Sequence, residues 1–237
     1  MSTFLELAVK GAREAGMGGT GPDAVTGLSG QHLKLVNWIA DSWTDLQNRY
    51  PNWRWMRCGF TVNTVASTDS YAYTACTDTK TSTTIARFAR WWANDRVNGF
   101  NCYLTSGGVS GQYRLIYVPY EEFRHLYKFG VQQSQTGQPI HVAIDYDDQI
   151  VLGPNPNAIY TVTGDFQRGP QILAANDDTP DFPSRFHDLI VWRAIQRYAT
   201  HMVAPEILAQ SKALGDPLLR ELEMSQLPQI RLSGPLA

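Results

Sequence analysis

Lysine is scarce in this chain. It occurs only at Lys10, Lys34, Lys80, Lys128 and Lys212, and arginine carries most of the positive charge. The net charge of −2 leaves no excess of cations for wrapping nucleic acid, which needs clustered Lys and Arg. A cation set weighted to arginine favours planar, bidentate contacts of the kind found at protein interfaces. Cysteine is also sparse: Cys58, Cys76 and Cys102 are odd in number, far apart and without a C-x-x-C pair. That excludes a disulfide framework and a zinc ribbon, and reads as small buried thiols in a reducing compartment. No apolar run reaches the length of a membrane span. No basic stretch followed by an apolar run opens the chain, so no signal peptide is expected. The expectation is a protein made and assembled in the cytosol, with no membrane partner.

Signatures of catalysis are missing too. The Gly-rich residues 16–21 lack the Lys-Ser/Thr of a phosphate loop and follow a helical pattern rather than a strand. Gly107-Gly108-Val109-Ser110-Gly111 has the wrong spacing for a nucleophile elbow and reads as a turn between strands. His32, His125, His141, His187 and His201 are scattered with no metal-ligand spacing. His187 reads as a helix cap or surface residue. Asp145-Tyr146-Asp147-Asp148 lacks the glycine and glutamate that complete a calcium loop and reads as a solvated hairpin tip. Asp177-Asp178-Thr179-Pro180-Asp181 precedes a helix, where carboxylates are favoured anyway. No catalytic residue, cofactor or metal is expected.

What is present is helix at both ends and strand between. Thr3-Phe4-Leu5-Glu6 is a capping-box pattern, and Phe4, Leu7, Ala8, Gly11, Ala12 and Ala15 share the face behind it. Gly16 stops that helix and a Gly-rich loop follows. Ser29 then caps a second helix, whose stripe of Leu35, Ile39, Trp43, Leu46 and Tyr50, widened by Val36 and edged by Trp38, runs to Pro51. Residues 57–84 are rich in Thr, Ser and aromatics with strand alternation. Residues 85–97 fit either helix or strand, with strand preferred. Further strands fall at 102–104, 113–118 and 160–164, with a short helix behind Pro119 and a hairpin over 140–152.

Helix returns with Phe186, Leu189, Ile190, Trp192, Ile195, Tyr198, Ala199, Met202 and Val203, an apolar face broad enough for the centre of a bundle. Pro205 starts a shorter helix, and Asp216-Pro217 caps and opens a separate last one. The order helices, strands, helices gives an α+β fold: a helical bundle built from the N- and C-terminal helices, with an inserted β-rich domain. The expected division is 1–52 together with 180–228 as a discontinuous bundle, 53–179 as the β-rich insert, and 229–237 as an extended tail.

Trp53, Trp55, Trp91 and Trp92 lie among Arg54, Arg57, Arg87 and Arg90. Three readings are open: core filling at the junction of bundle and β region, a protein interface, or stacking on sugars or bases. The absent positive excess disfavours the nucleic-acid version.

Several segments together resemble the adaptor proteins of tailed bacteriophages, also called head-completion or head-to-tail connector proteins. They are residues 35–46 with Trp53-Arg54-Trp55, Tyr117-Val118-Pro119-Tyr120-Glu121-Glu122-Phe123-Arg124, Leu152-Gly153-Pro154 leading to Tyr160-Thr161-Val162-Thr163-Gly164, and Arg185-Phe186-His187-Asp188-Leu189-Ile190-Val191 with Ala204-Pro205-Glu206. The resemblance implies a structural virion protein of the neck, assembled in the host cytoplasm as a homo-oligomeric ring, commonly a dodecamer. Its partners would be the portal protein and the next tail or neck protein, with DNA passing through the channel without specific binding. Ile230, Arg231, Leu232 and Leu236 in the tail, with Trp91, Trp92 and Arg90, are the candidate portal or subunit contacts. The alternative reading is a tail-associated carbohydrate-binding module using the aromatics of the β region.

Overall fold

The computed structural model describes residues 2–94 and 99–228. The chain divides into two compact units, Met1–Met56 with Pro170–Ala237, and Arg57–Gly169.

In the first unit, α1 (Phe4–Glu14) is defined at both ends by local chemistry. Thr3 Oγ1 accepts from the Glu6 amide (3.2 Å) and Glu6 Oε2 accepts from the Thr3 amide (3.1 Å), a reciprocal capping box. At the other end Gly16 takes φ +68°, a left-handed conformation suited to glycine. The amides of Gly16 and Met17 then return to Arg13 O and Ala12 O, satisfying the last carbonyls. The small residues of α1 have a purpose. A Cβ on Gly11 would sit 3.3 Å from Ile39 Cδ1, so the absent side chain lets α1 lie close on α2 (Gly30–Asn48). Leu35, Ile39, Trp43 and Leu46 of α2 are all buried in the same core.

The hub of this unit is α4 (His187–His201), which packs against α1, α2 and α5 (Pro205–Gln226). It buries Leu189, Ile190, Val191, Ala194, Ile195, Tyr198 and Ala199. The expected helical bundle does not form, however. The core is closed by irregular chain as much as by helices: Val25, Trp53, Leu173 and Phe182 lie outside any α-helix and are buried in it. A further helix, α3 (Tyr120–Tyr127), belongs to the other unit. The architecture is mixed α+β, with helices and ordered loops in one unit and a large antiparallel sheet with its own helix in the other.

A second correction concerns Asp216-Pro217. It opens no new helix; α5 runs through Pro217 as one element. Ser211, Gly215, Leu219 and Leu222 form its buried stripe, and that spacing continues across the proline, which sits on the exposed side. Burial of this stripe outweighs the local break that proline favours.

In the second unit the central strand is Tyr160–Gln167. It pairs antiparallel with Arg57–Asn63 along that strand's full length and, on the other side, with Asn101–Leu104 and Arg90–Trp91. A seven-stranded sheet results. Residues 85–92 are therefore strand only at Arg90–Trp91, and residues 95–97 of that stretch lie outside the described residues. A four-stranded sheet holds Ser70–Tyr71, Ile150–Gly153, His141–Ile144 and Ile116–Tyr117 in that order.

The strands His141–Ile144 and Ile150–Gly153 are apolar on both faces because both faces are covered. Val142, Ile150 and Leu152 join Phe60, Phe100, Val162 and Phe166 in the main core. Ala143 and Val151 meet Phe123 of α3 in a smaller one. Gly153 and Gly164 make this layering possible: a Cβ on the first would strike Tyr127 and Phe123, and on the second Phe100. Cys58, Cys76 and Cys102 are buried here as thiols outside any disulfide, and burial pushes Cys76 up to about 12.

Candidate interaction site

The aromatic and arginine residues singled out from the sequence separate in the structure. Trp53 is fully buried in the helical unit, where its Nε1 donates to Leu46 O (3.0 Å) and its ring lies 4.2 Å from that of Trp55. Trp91 is buried in the sheet core against Phe60, Phe88 and Phe100, and its Nε1 donates to Asp148 O (2.6 Å). Trp92 alone of the cluster combines partial exposure with flanking cations. The guanidinium groups of Arg57 (4.6 Å) and Arg90 (4.3 Å) both lie over its ring, and Arg57 Nε also donates to Asp165 Oδ2 (2.9 Å). Ile230, Arg231, Leu232 and Leu236 lie outside the described residues.

The acidic clusters have different roles. Asp178 Oδ2 accepts from the amides of Ala174 (2.7 Å) and Ala175 (2.8 Å), and these bonds hold its carboxyl below the usual range. It caps its own turn rather than α4. In the hairpin, Asp145 Oδ1 accepts from the amides of Asp147 (3.0 Å) and Gln149 (2.7 Å), so this carboxylate builds the turn. Asp147 and Asp148 project from the tip without an ion pair among the described residues, beside Tyr146, which is 70% exposed. Among the described residues no group of three or more His, Cys, Asp and Glu is placed to hold a metal ion. No described helix is long and apolar enough to cross a membrane.

His187 is not the surface or cap residue expected. It is buried, its Nδ1 accepts from the Ser2 amide (3.1 Å), and its Nε2 faces Phe182 O (3.3 Å), which requires the Nε2–H tautomer. Burial pushes its pKa down, against the pull of the Phe182 carbonyl.

A cleft of about 620 Å³ opens among α2, α4 and α5. Four cations border it: Arg49, Arg193, Arg197 and Lys212. Arg197 is occupied by Asp41 (3.3 Å) and Asp45, and Arg49 by Glu223 (3.2 Å). Arg193 and Lys212 have no carboxylate partner among the described residues, and Arg193 reaches only Gln196 Oε1 (3.4 Å). Leu46 and Leu208 give the cleft an apolar lining, and Ser42 joins them with a buried Oγ that lacks a hydrogen-bond partner. The i, i+4 spacing of Arg193 and Arg197 on α4 is the one part of this constellation that the sequence exposes.

The chain belongs to the SU10 adaptor protein family, whose model matches residues 2–236. It is thus a phage structural adaptor and a virion component that interacts with other phage structural proteins. No curated protein matches the chain.

Proposed function

We propose that this protein forms a ring, probed first as a dodecamer, that sits in the virion neck beneath the portal. There it joins the portal to the next tail component and extends the DNA channel. The family match from residue 2 to residue 236 carries the reading. Physical arguments support it. A ring needs one surface complementary to a different surface of the next copy, with a rotation that closes. The net charge of −2 suits a channel through which DNA slides without the counterion release that tight binding requires. Assembly takes place in the host cytoplasm.

Residues 229–237 act as a docking arm on a neighbouring or portal subunit, through Ile230, Arg231, Leu232 and Leu236. Arg90 and Trp92 contribute a second contact, with buried Trp91 fixing the strand beneath them. The carbohydrate-binding alternative loses its tryptophans, all seven of which are buried or half-buried, and is left with exposed aromatics such as Phe129 and Tyr146.

Purified portal mixed with this protein tests the reading by electron microscopy. Stacked rings on the portal are expected. A chain that never docks would sink the proposal. Removal of residues 229–237 is expected to leave the fold intact and weaken docking; normal docking by the truncated chain overturns the role of the arm.

A further inference from the structure

We infer that the cleft among α2, α4 and α5 receives the acidic hairpin tip of a second copy of this chain, with Tyr146, Asp147 and Asp148 as the inserted residues. The inference rests on the ring reading and supplies it with a pair of surfaces. Three observations meet in the cleft. Its rim carries two cations, Arg193 and Lys212, without carboxylate partners among the described residues. Its lining is apolar at Leu46 and Leu208. It also contains an orphan: Ser42 is 3% exposed, and its Oγ has neither donor nor acceptor opposite it. A buried hydroxyl left without a partner is costly, so its presence beside an open cleft points to a ligand that completes it.

The hairpin tip has the reciprocal chemistry. Asp145 is consumed by the turn, which leaves Asp147 and Asp148 free to project two carboxylates. Tyr146 stands 70% exposed between them and the strand, steadied edge-on by Tyr120 at 5.0 Å. An aromatic ring ending in a hydroxyl suits an apolar lining that includes an orphan hydroxyl, and two carboxylates suit two unpaired cations. The tip is anchored from below by the Trp91 Nε1 bond to Asp148 O (2.6 Å), so little order has to be gained on insertion. A concave, partly apolar site fits a protruding peptide turn better than a DNA backbone, which is met by outward-facing cations. Tip and cleft are different surfaces, so the contact is heterologous, as a ring requires.

The test is self-association of the full chain, followed by sedimentation over a range of concentrations and salt. A cleft variant, Arg193→Glu with Lys212→Glu, and a tip variant, Asp147→Lys, are each expected to weaken association by about tenfold or more. Melting curves confirm that these exposed and half-exposed substitutions leave the fold intact. Mixing the two variants is expected to restore association, because the reversed tip of one fits the reversed cleft of the other. Raising the salt is expected to weaken the wild-type contact.

A wild-type chain that associates, with variants that associate equally well, overturns this inference and leaves the ring reading standing. A wild-type chain that stays monomeric both alone and on the portal overturns both. Loss of binding to a DNA duplex by the cleft variant, with self-association unchanged, assigns the cleft to DNA and overturns it as well.

Discussion

Gln47 of α2 reads the backbone of Gln171 in both directions. Its Oε1 accepts from the Gln171 amide (2.7 Å) and its Nε2 donates to the Gln171 carbonyl (2.9 Å), as a neighbouring strand would. The side chain of Gln171 continues the chain of contacts, donating to Thr179 O (2.9 Å) and accepting from the Asp181 amide (3.0 Å). One buried amide thus holds the irregular residues 170–183 on the helical core. Replacing Gln47 with leucine leaves a peptide amide and carbonyl without these partners. The expected loss is about 1–3 kcal/mol in denaturant unfolding of the helical unit. Gln47→Glu, which at pH 7 turns a buried carboxylate oxygen toward the Gln171 carbonyl, is expected to cost at least as much as leucine.

Gly164 lies in the central strand where any Cβ would enter the ring of Phe100. Gly164→Ala is expected to cost about 1–3 kcal/mol through overpacking. Adding Phe100→Leu should recover part of that loss, whereas purely additive destabilisation would show that the clash is not the cause.

His187 makes the helical unit sensitive to acid. Its pKa is lowered from the ordinary value of 6.5 because burial disfavours the imidazolium. Between the lowered folded value and 6.5 the unfolded chain binds a proton at this position that the folded chain does not. The His187 contribution is therefore fully present above that value and is lost as pH falls through the lowered folded value. Unfolding measured between pH 7.5 and 5 should show this decline, and His187→Gln should flatten it. An unchanged slope in the variant would assign the acid sensitivity elsewhere.

Pro217 interrupts hydrogen bonding in the middle of α5 on its exposed side. Pro217→Ala is expected to stabilise the protein by about 1–3 kcal/mol, since alanine restores an N–H and a better helix former. Thermal unfolding checks this. A destabilised alanine variant would show that the proline positions α5 in a way the helix alone does not.

The legibility of this fold follows the range of the forces involved. For α1 the capping box, apolar face and terminal glycine all lie within about four turns of chain, and each acts locally. At Pro217 the strong local signal misleads, because the stripe from Ser211 to Leu222 is bound to α4 and no local rule weighs that burial. The reading of His187 failed for a similar reason: its partners are Ser2 and Phe182, and the first lies at the far end of the chain. The expected bundle failed because Leu173 and Phe182 sit in Pro- and Asp-rich chain that has no periodicity to declare it as core. The cleft was invisible because Ser42, Arg193 and Lys212 come from three helices and are ordinary in each. Charge and exposure of the hairpin tip were readable because composition and a short motif carry them.

The three cysteines give the protein a reporter of its own. All of them lie in the unit Arg57–Gly169, all are buried, and the helical unit contains none. Thiol modification is then a stopwatch for opening of the sheet unit alone. Timed against a global signal such as helical circular dichroism, it tells whether the two units of an adaptor come apart together or in turn.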